Sequence, residues 1–429
     1  MSLGAGGVRA GLVLLAAAAS SALPALAAPE LEIAIRADTL YTSGPQGTLA
    51  DGVVIVREGK IRAVGPAAEI EIPKSARVYR AKVVTPGLID AQSTVGLSGM
   101  FNVPADQDQD EKSGPLQAGL RVIDGFNPAE RLLGWLLAHG ITTVQVSPGE
   151  ANPIAGQAGV FKTWAPPGTG VSEFVVRFPS ALVFNLGEVP KATYAAEKRA
   201  PTTRMGTAAL IRKALSEAGA YARKRSAASR KGSRASSERA ETPERSLPND
   251  ALALVLAREL PALFVARRED DLATALRLGE EFGLEVQLAD ATEGYLMAGR
   301  IARAGVPVLV GPVMERVGSL ETMNASFENA AILAAAGVPV VFRSGFEGYV
   351  PKVRVVLFEA AIAAANGFGF DAALTALTSR AARVLGVEDR IGSLEPGKDA
   401  DLVLYDGDPF EYSSHVERVL VGGELAYSR

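Results

Sequence analysis

The sequence predicts an α/β fold, a (β/α)8 barrel, and three observations lead there. Eight apolar stretches recur between residues 88 and 343, several of them continuous Val/Leu/Ile/Phe runs without alternation, which suits strands buried on both faces. Amphipathic segments such as "DDLATALRLGEEFG" (270–283) and "TEGYLMAGRIARAG" (292–305) lie between them. The chain has 429 residues, 48% hydrophobic and 21% charged, enough to bury a large core. A doubly wound open sheet competes with the barrel. However, no G-x-G-x-x-G opens a helix and no Walker-type "GK[ST]" is present, so nucleotide binding lacks its usual signature.

From the N-terminus, Arg9 precedes the apolar run "GLVLLAAAASSALPALA", and Ala25-Leu26-Ala27 is a small-x-small cleavage signal. Residues 1–27 therefore read as a secretory signal peptide with cleavage near Ala27, which places the mature chain in the periplasm or outside the cell. No later segment is apolar and long enough to span a membrane, so no span is expected after cleavage. Residues 31–84 read as short strands: "LEIAIRADTLYT", "GVVIVREGKIRAVG" with a hairpin turn at Glu58-Gly59-Lys60, and "RVYRAKVV". The barrel strands are expected at Leu88–Ala91, Thr142–Val146, Gly159–Thr163, Ala181–Leu186, Ala262–Arg267, Glu285–Ala289, Pro307–Val310 and Pro339–Arg343. Asp270 and Thr292 suit helix N-caps, and Gly305 a helix stop. Residues 223–250, "RKRSAASRKGSRASSERAETPERSLPND", are Ser/Arg-rich and nearly free of large apolar side chains. They read as a mobile, disordered insertion within the barrel.

Composition removes several function classes. The formal net charge is -4, which gives no electrostatic case for nucleic acid. There is no cysteine, so disulfides and thiolate chemistry are excluded. Only two histidines, His139 and His415, are available for the roles imidazole usually fills.

Two strings, "LGVEDRIGSLEPGKDADLVLYDGDP" (385–409) and "VVTPGLIDAQS" (83–93), resemble the amidohydrolase superfamily, and within it the exported imidazolonepropionase-like branch. Further strings fit that branch: "DQDQDEKSGPLQAGLRVIDGFNP", "LVFNLGEVPK" and "APTTRMGTAALIRKAL". The resemblance covers residues 31 to 429. It implies a hydrolase of carbon–nitrogen bonds with a barrel over residues 85–395 and a small composite β-sandwich from residues 31–84 and 396–429. The end segments agree, since neither carries enough apolar surface for a core alone.

The resemblance also implies a zinc site at the strand ends, and the residues depart from it at every position. The family places two histidines after the first strand, where this chain has Gln92 and Thr94. Val183 takes the position of the carboxylated lysine, Arg267 and Asp290 those of the later histidines, and Gly345 that of the eighth-strand aspartate. Zinc takes imidazole and carboxylate donors. Valine and glycine side chains supply none, and arginine brings a permanent positive charge. The expectation is therefore a centre without cofactor and with the metal ligands replaced, in which Arg267 and Asp290 pair. Three functions follow as expectations. The first is a catalytically silent barrel, as a homo-oligomer or as the partner subunit of a related active amidohydrolase. The second is a binding module for a small polar ligand, with Arg204 and Arg267 as contacts. The third is a working hydrolase with Asp290 and Glu293 as weak acid/base candidates.

Overall fold

The computed structural model describes residues 32–232, 244–345 and 355–429. The expected signal peptide lies outside these residues, as does the centre of the 223–250 segment.

Four strands open the described chain: β1 (Ile33–Tyr41), β2 (Thr48–Arg57), β3 (Lys60–Pro66) and β4 (Arg77–Pro86). Eight barrel strands follow: β5 (Leu88–Ser93), β6 (Ile141–Val146), β7 (Ile154–Lys162), β8 (Val175–Asn185), β9 (Ala262–Ala266), β10 (Val286–Asp290), β11 (Val308–Val310) and β12 (Val340–Phe342). The last three are β13 (Leu402–Tyr405), β14 (Val416–Val421) and β15 (Glu424–Ser428).

The barrel strands form one sheet in the order β12-β11-β10-β9-β8-β7-β6-β5. Its edges approach each other where Gly345 bridges Ser93 and the Gly345 amide donates to Gln92 O at 3.0 Å. All eight expected strands are present, but β7 runs antiparallel to both neighbours. A uniform (β/α)8 repeat is therefore corrected. Only residues 147–153 join β6 to β7, too few for the crossover of a dozen or more residues that a parallel pair needs.

Alternation along the strands sends side chains to two separate cores. Ile89, Val183, Leu263, Ala289, Leu309 and Val341 fill the barrel interior. Leu88, Leu182, Phe264, Leu288 and Phe342 pack outward under the helices. These helices include α1 (Arg131–Leu137), α2 (Glu188–Ala195), α3 (Arg204–Gly232), α4 (Leu247–Leu256), α5 (Glu269–Phe282), α6 (Ala298–Ala304), α7 (Asn329–Ala335), α8 (Val356–Ala363), α9 (Phe370–Ala376) and α10 (Ser379–Val384). None of the described helices is long and apolar enough to cross a membrane.

Both ends of the described chain meet in one seven-stranded sheet, ordered β15-β14-β13-β4-β1-β2-β3, where two facing sheets were expected. Its far edge returns toward the C-terminal segment, since the Ile61 amide donates to Lys398 O and the Ala400 amide to Gly59 O. Curled in this way, the sheet encloses a core of Ile35, Val54, Ile61, Leu402 and Leu420. The string "KDAD" anchors it to the barrel. Lys162, at the end of β7, is buried between Asp401, which it contacts closely, and Asp399 at 3.2 Å.

The 223–250 expectation is corrected at both ends. Residues 223–232 continue α3, and 247–250 open α4. Ala, Arg and Lys are good helix formers. Tyr221 Oη donates to Asp250 at 2.7 Å, Arg225 Nη1 donates to Tyr221 Oη at 2.7 Å, and Ser246 caps α4.

Candidate functional site

The C-terminal ends of the barrel strands carry a cluster of charged side chains. Arg267 follows β9 directly. Its Nη1 donates to Glu150 Oε2 at 2.8 Å and its Nη2 to Glu150 Oε1 at 3.1 Å. The same Nη2 lies 2.8 Å from Asp290 Oδ2, and Nε lies 3.7 Å from Glu315. Arg343, just past β12 and 2% exposed, contacts Asp290 through Nη1 and reaches Glu150 at 3.8 Å. Asp290 is 2% exposed and stands against both guanidinium groups, yet neither contact has hydrogen-bond geometry.

Local backbone aims these groups. Asp290 and Ala291 both have positive φ, 66° and 50°. Aspartate tolerates this region and alanine does not, so the turn is strained where it delivers the carboxylate. Glu150 sits on the loop after β6, which the segment before α1 holds in place. Asp110 accepts from the Ala151 amide at 2.9 Å, and Glu111 O accepts from Asn152 Nδ2 at 2.8 Å.

The charges are set by one another. Burial alone would lower the pKa of Arg267 and raise that of Glu150. Their pairing outweighs it, so Arg267 is held well above the ordinary guanidinium value and Glu150 below the ordinary carboxyl value. Arg343 is pushed down to about 10 by burial, with repulsion from Arg267 acting against the pull of Glu150. Asp90, fully buried on β5, is pushed up to about 6 by burial, although Ser344 donates to it from both its amide and its hydroxyl.

The sequence-derived positions fare differently. Gln92 donates from Nε2 to Ser147 Oγ at 3.1 Å, and its Oε1 has no partner. Thr94 is buried with Oγ1 unpartnered. Val183 does not reach the mouth, because it pairs in register with Leu263 inside the barrel, whereas Asp290 pairs with Ala266. Gly345 contributes backbone to barrel closure, and the side chain at that strand end is Arg343. A Cβ on Gly345 would come 2.2 Å from Arg343 Nη2.

Two candidate side chains are already engaged. Arg204 donates to Asp271 at 2.8 Å and Glu321 at 2.5 Å and so ties α3 to α5. Glu293 is not a free acid or base. Its carboxylate accepts from the Glu269 amide and from Asn324 Nδ2, both at 2.7 Å, which caps α5. His139 is half-buried, with Nδ1 2.8 Å from Trp135 O, and His415 pairs with Asp406 at 3.1 Å. Sequence reasoning missed Glu150, Glu315 and Arg343. For Glu150 and Arg343 the signal was present: each is a charged residue at or just past the end of an apolar strand, the place where a barrel mouth lies.

These residues do not fit a zinc ion. The donors at the positions the resemblance points to are an amide, a hydroxyl and one carboxylate, and that carboxylate already faces two guanidinium groups, the buried Arg343 and the half-buried Arg267. Among the described residues no three His, Cys, Asp or Glu side chains come together as a metal-binding group.

Fold and site together define an eight-stranded barrel with a composite β-sheet and a charge-paired centre. A family model described as "Amidohydrolase family" matches residues 352–427. The crystal structure of an amidohydrolase from Thermotoga maritima is 34% identical, covers 92% of this chain and 100% of that chain, and superposes with a TM-score of 0.85. The chain belongs to the amidohydrolase family. Amidohydrolase tasK of Hapsidospora irregularis is 25% identical over 394 residues, 88% of this chain and 40% of that protein. Imidazolonepropionase of Thermoplasma volcanium is 30% identical over 113 residues, 25% of this chain and 28% of that protein. The chain thus spans well under two thirds of the curated relatives it matches.

Proposed function

We propose that the barrel keeps the amidohydrolase architecture while its strand-end centre has given up zinc-dependent hydrolysis for a guanidinium–carboxylate cluster. The observation that carries this reading is the pair Arg267 and Arg343, the first half-buried and the second buried against Asp290 and Glu150, at the strand ends where the resemblance implies a metal. A dication there would meet two fixed positive charges and one aspartate already engaged. In this reading the chain is catalytically silent and acts as a structural partner, in a homo-oligomer or beside a related subunit that retains the metal ligands. The N-terminal apolar run supports export to the periplasm or beyond.

A second reading, hydrolysis of carbon–nitrogen bonds by this chain itself, rests on the full-length likeness to the Thermotoga maritima amidohydrolase. The comparisons favour it over silence. It requires a route that does not use zinc at the strand ends.

One experiment separates the two. The purified chain is assayed on dipeptides and N-acylated amino acids, with and without chelator and with added zinc. No turnover in any arm supports the silent barrel. Turnover that survives chelator and falls in Asp290→Asn supports metal-free hydrolysis here. Turnover that needs zinc overturns the proposed centre.

A further inference from the structure

The N-terminal ends of the strands carry a second site. A cleft of about 830 Å³ opens at the starts of β10 and β11, beneath the C-terminal ends of α5, α6 and α10. That is the opposite end of the barrel from Arg267 and Asp290, about 15 Å along a five-residue strand. Its volume is that of a small-molecule site and far exceeds a single ion.

Four arginines line it: Arg258 after α4, Arg300 and Arg303 on α6, and Arg383 on α10. None of the four makes an ion pair or a side-chain hydrogen bond among the described residues, whereas most arginines at the other end of the barrel are paired. Glu280 and Glu285 also line the cleft and leave an excess of two positive charges. The three helix C-termini attract cations and account for part of the clustering. They do not account for Gln287, which lines the cleft at 5% exposure. Its Nε2 donates to Val384 O at 2.9 Å, and its Oε1 is buried without a partner. A buried acceptor left bare costs free energy and calls for a donor. Beside Arg383, the guanidinium of Arg380 is held below its ordinary value by burial and then by that neighbour's charge.

We propose that this cleft binds a small molecule with two or more anionic oxygen groups. Guanidinium groups match carboxylate and phosphate geometry, so the anionic groups settle on Arg258, Arg300, Arg303 and Arg383. The site is independent of the strand-end centre, and its occupancy does not depend on whether the barrel hydrolyses anything.

Calorimetric titration of the whole protein with inorganic pyrophosphate, ADP and citrate tests this. At least one is expected to bind with a Kd below about 1 mM at physiological salt. Binding by pyrophosphate or ADP assigns phosphorylated ligands, and binding by citrate alone assigns polycarboxylates. Arg300→Gln with Arg383→Gln is expected to weaken the binding at least about tenfold, because both side chains are exposed and the fold does not use them. Arg277→Gln, on α5 outside the cleft, is expected to change nothing. Should the double variant misfold, Arg300→Gln alone is expected to weaken binding several-fold. Absence of heat with all three probes up to about 10 mM, or unchanged binding in the arginine variants, overturns the proposal.

Discussion

Arg267 and Glu150, 117 residues apart, meet through two nearly parallel hydrogen bonds of 2.8 and 3.1 Å. The fork fixes the guanidinium plane, and with it the face presented to Asp290. The loop after β6 and the end of β9 are thereby locked across the barrel mouth. The mouth is held by charge pairing between strands.

Removing the shared carboxylate should therefore be expensive. Asp290→Ala leaves the buried Arg343 and the half-buried Arg267 with less compensation, and a loss of about 3–5 kcal/mol is expected. Urea denaturation of the variant against the parent chain measures it. Equal or greater stability of the variant would show that Asp290 is not what neutralises the pair.

Gly345 should resist side chains. Its φ is +64°, and a Cβ would meet Arg343 Nη2 at 2.2 Å. Gly345→Ala is expected to cost more than Gly283→Ala, where φ is +65° and nothing lies within 4 Å of the new atom. The backbone term is common to both, about 1–3 kcal/mol, so the difference between the two melting temperatures isolates the collision with Arg343.

Asp90 should make stability depend on pH. Burial raises its pKa from the ordinary 3.8 to about 6. Between these values the unfolded chain has released a proton that the folded one keeps. Stability contributed by this group is thus complete below pH 3.8, falls as pH rises toward about 6, and is level above it. The span is about two units at about 1.4 kcal/mol each, so about 3 kcal/mol at most. Asp90→Asn, which can still accept from the Ser344 amide, should flatten that slope. Chemical denaturation from pH 4 to 7 on both proteins reads the difference.

Zinc should leave the molecule unmoved. A ligand stabilises only a state that binds it. With two guanidinium groups in the centre, the melting temperature should be the same in chelator, in buffer and in excess zinc. A rise of several degrees on zinc addition, together with stoichiometric metal by elemental analysis, would reinstate the ordinary family site.

Lys162 should matter to the joint between sheet and barrel. Lys162→Met leaves Asp399 and Asp401 buried without their shared cation, and about 3–5 kcal/mol is the expected loss. Asp399 keeps Lys60 at 2.6 Å and Arg390 at 3.1 Å. Lys162→Met with Asp401→Asn should therefore recover part of the stability. Thermal melts of the two variants make the comparison.

The eight barrel strands were legible because doubly buried strands write themselves as apolar runs. The direction of β7 was not, because an apolar run looks the same read either way; only the short 147–153 connection encodes the reversal. Val183 shows the same limit at the site. Its place in the string matches the family pattern, but depth along a strand is set by register, which sequence spacing does not give. The strand-end residues were legible one by one. The cluster they form was visible only in part: Arg267 and Asp290 stood at aligned positions, while Glu150 and Arg343 come from loops whose paths depend on Asp110, on Ser344 and on barrel closure. Arg204 and Glu293 proved to have partners for a related reason. A charged residue near a mouth looks free until its partners, here Asp271, Glu321, the Glu269 amide and Asn324, are brought in by other segments.

The pairing of β4 with β13 has a bearing on biosynthesis. Pro86 lies opposite Leu402, so a strand made early faces water on one edge until more than three hundred further residues have been translated. Contacts this remote in sequence form slowly, and open strand edges invite the wrong neighbour. A nascent chain of this protein therefore has a long interval in which a holding chaperone would find its natural target: the bare flank of β4, waiting for the tail.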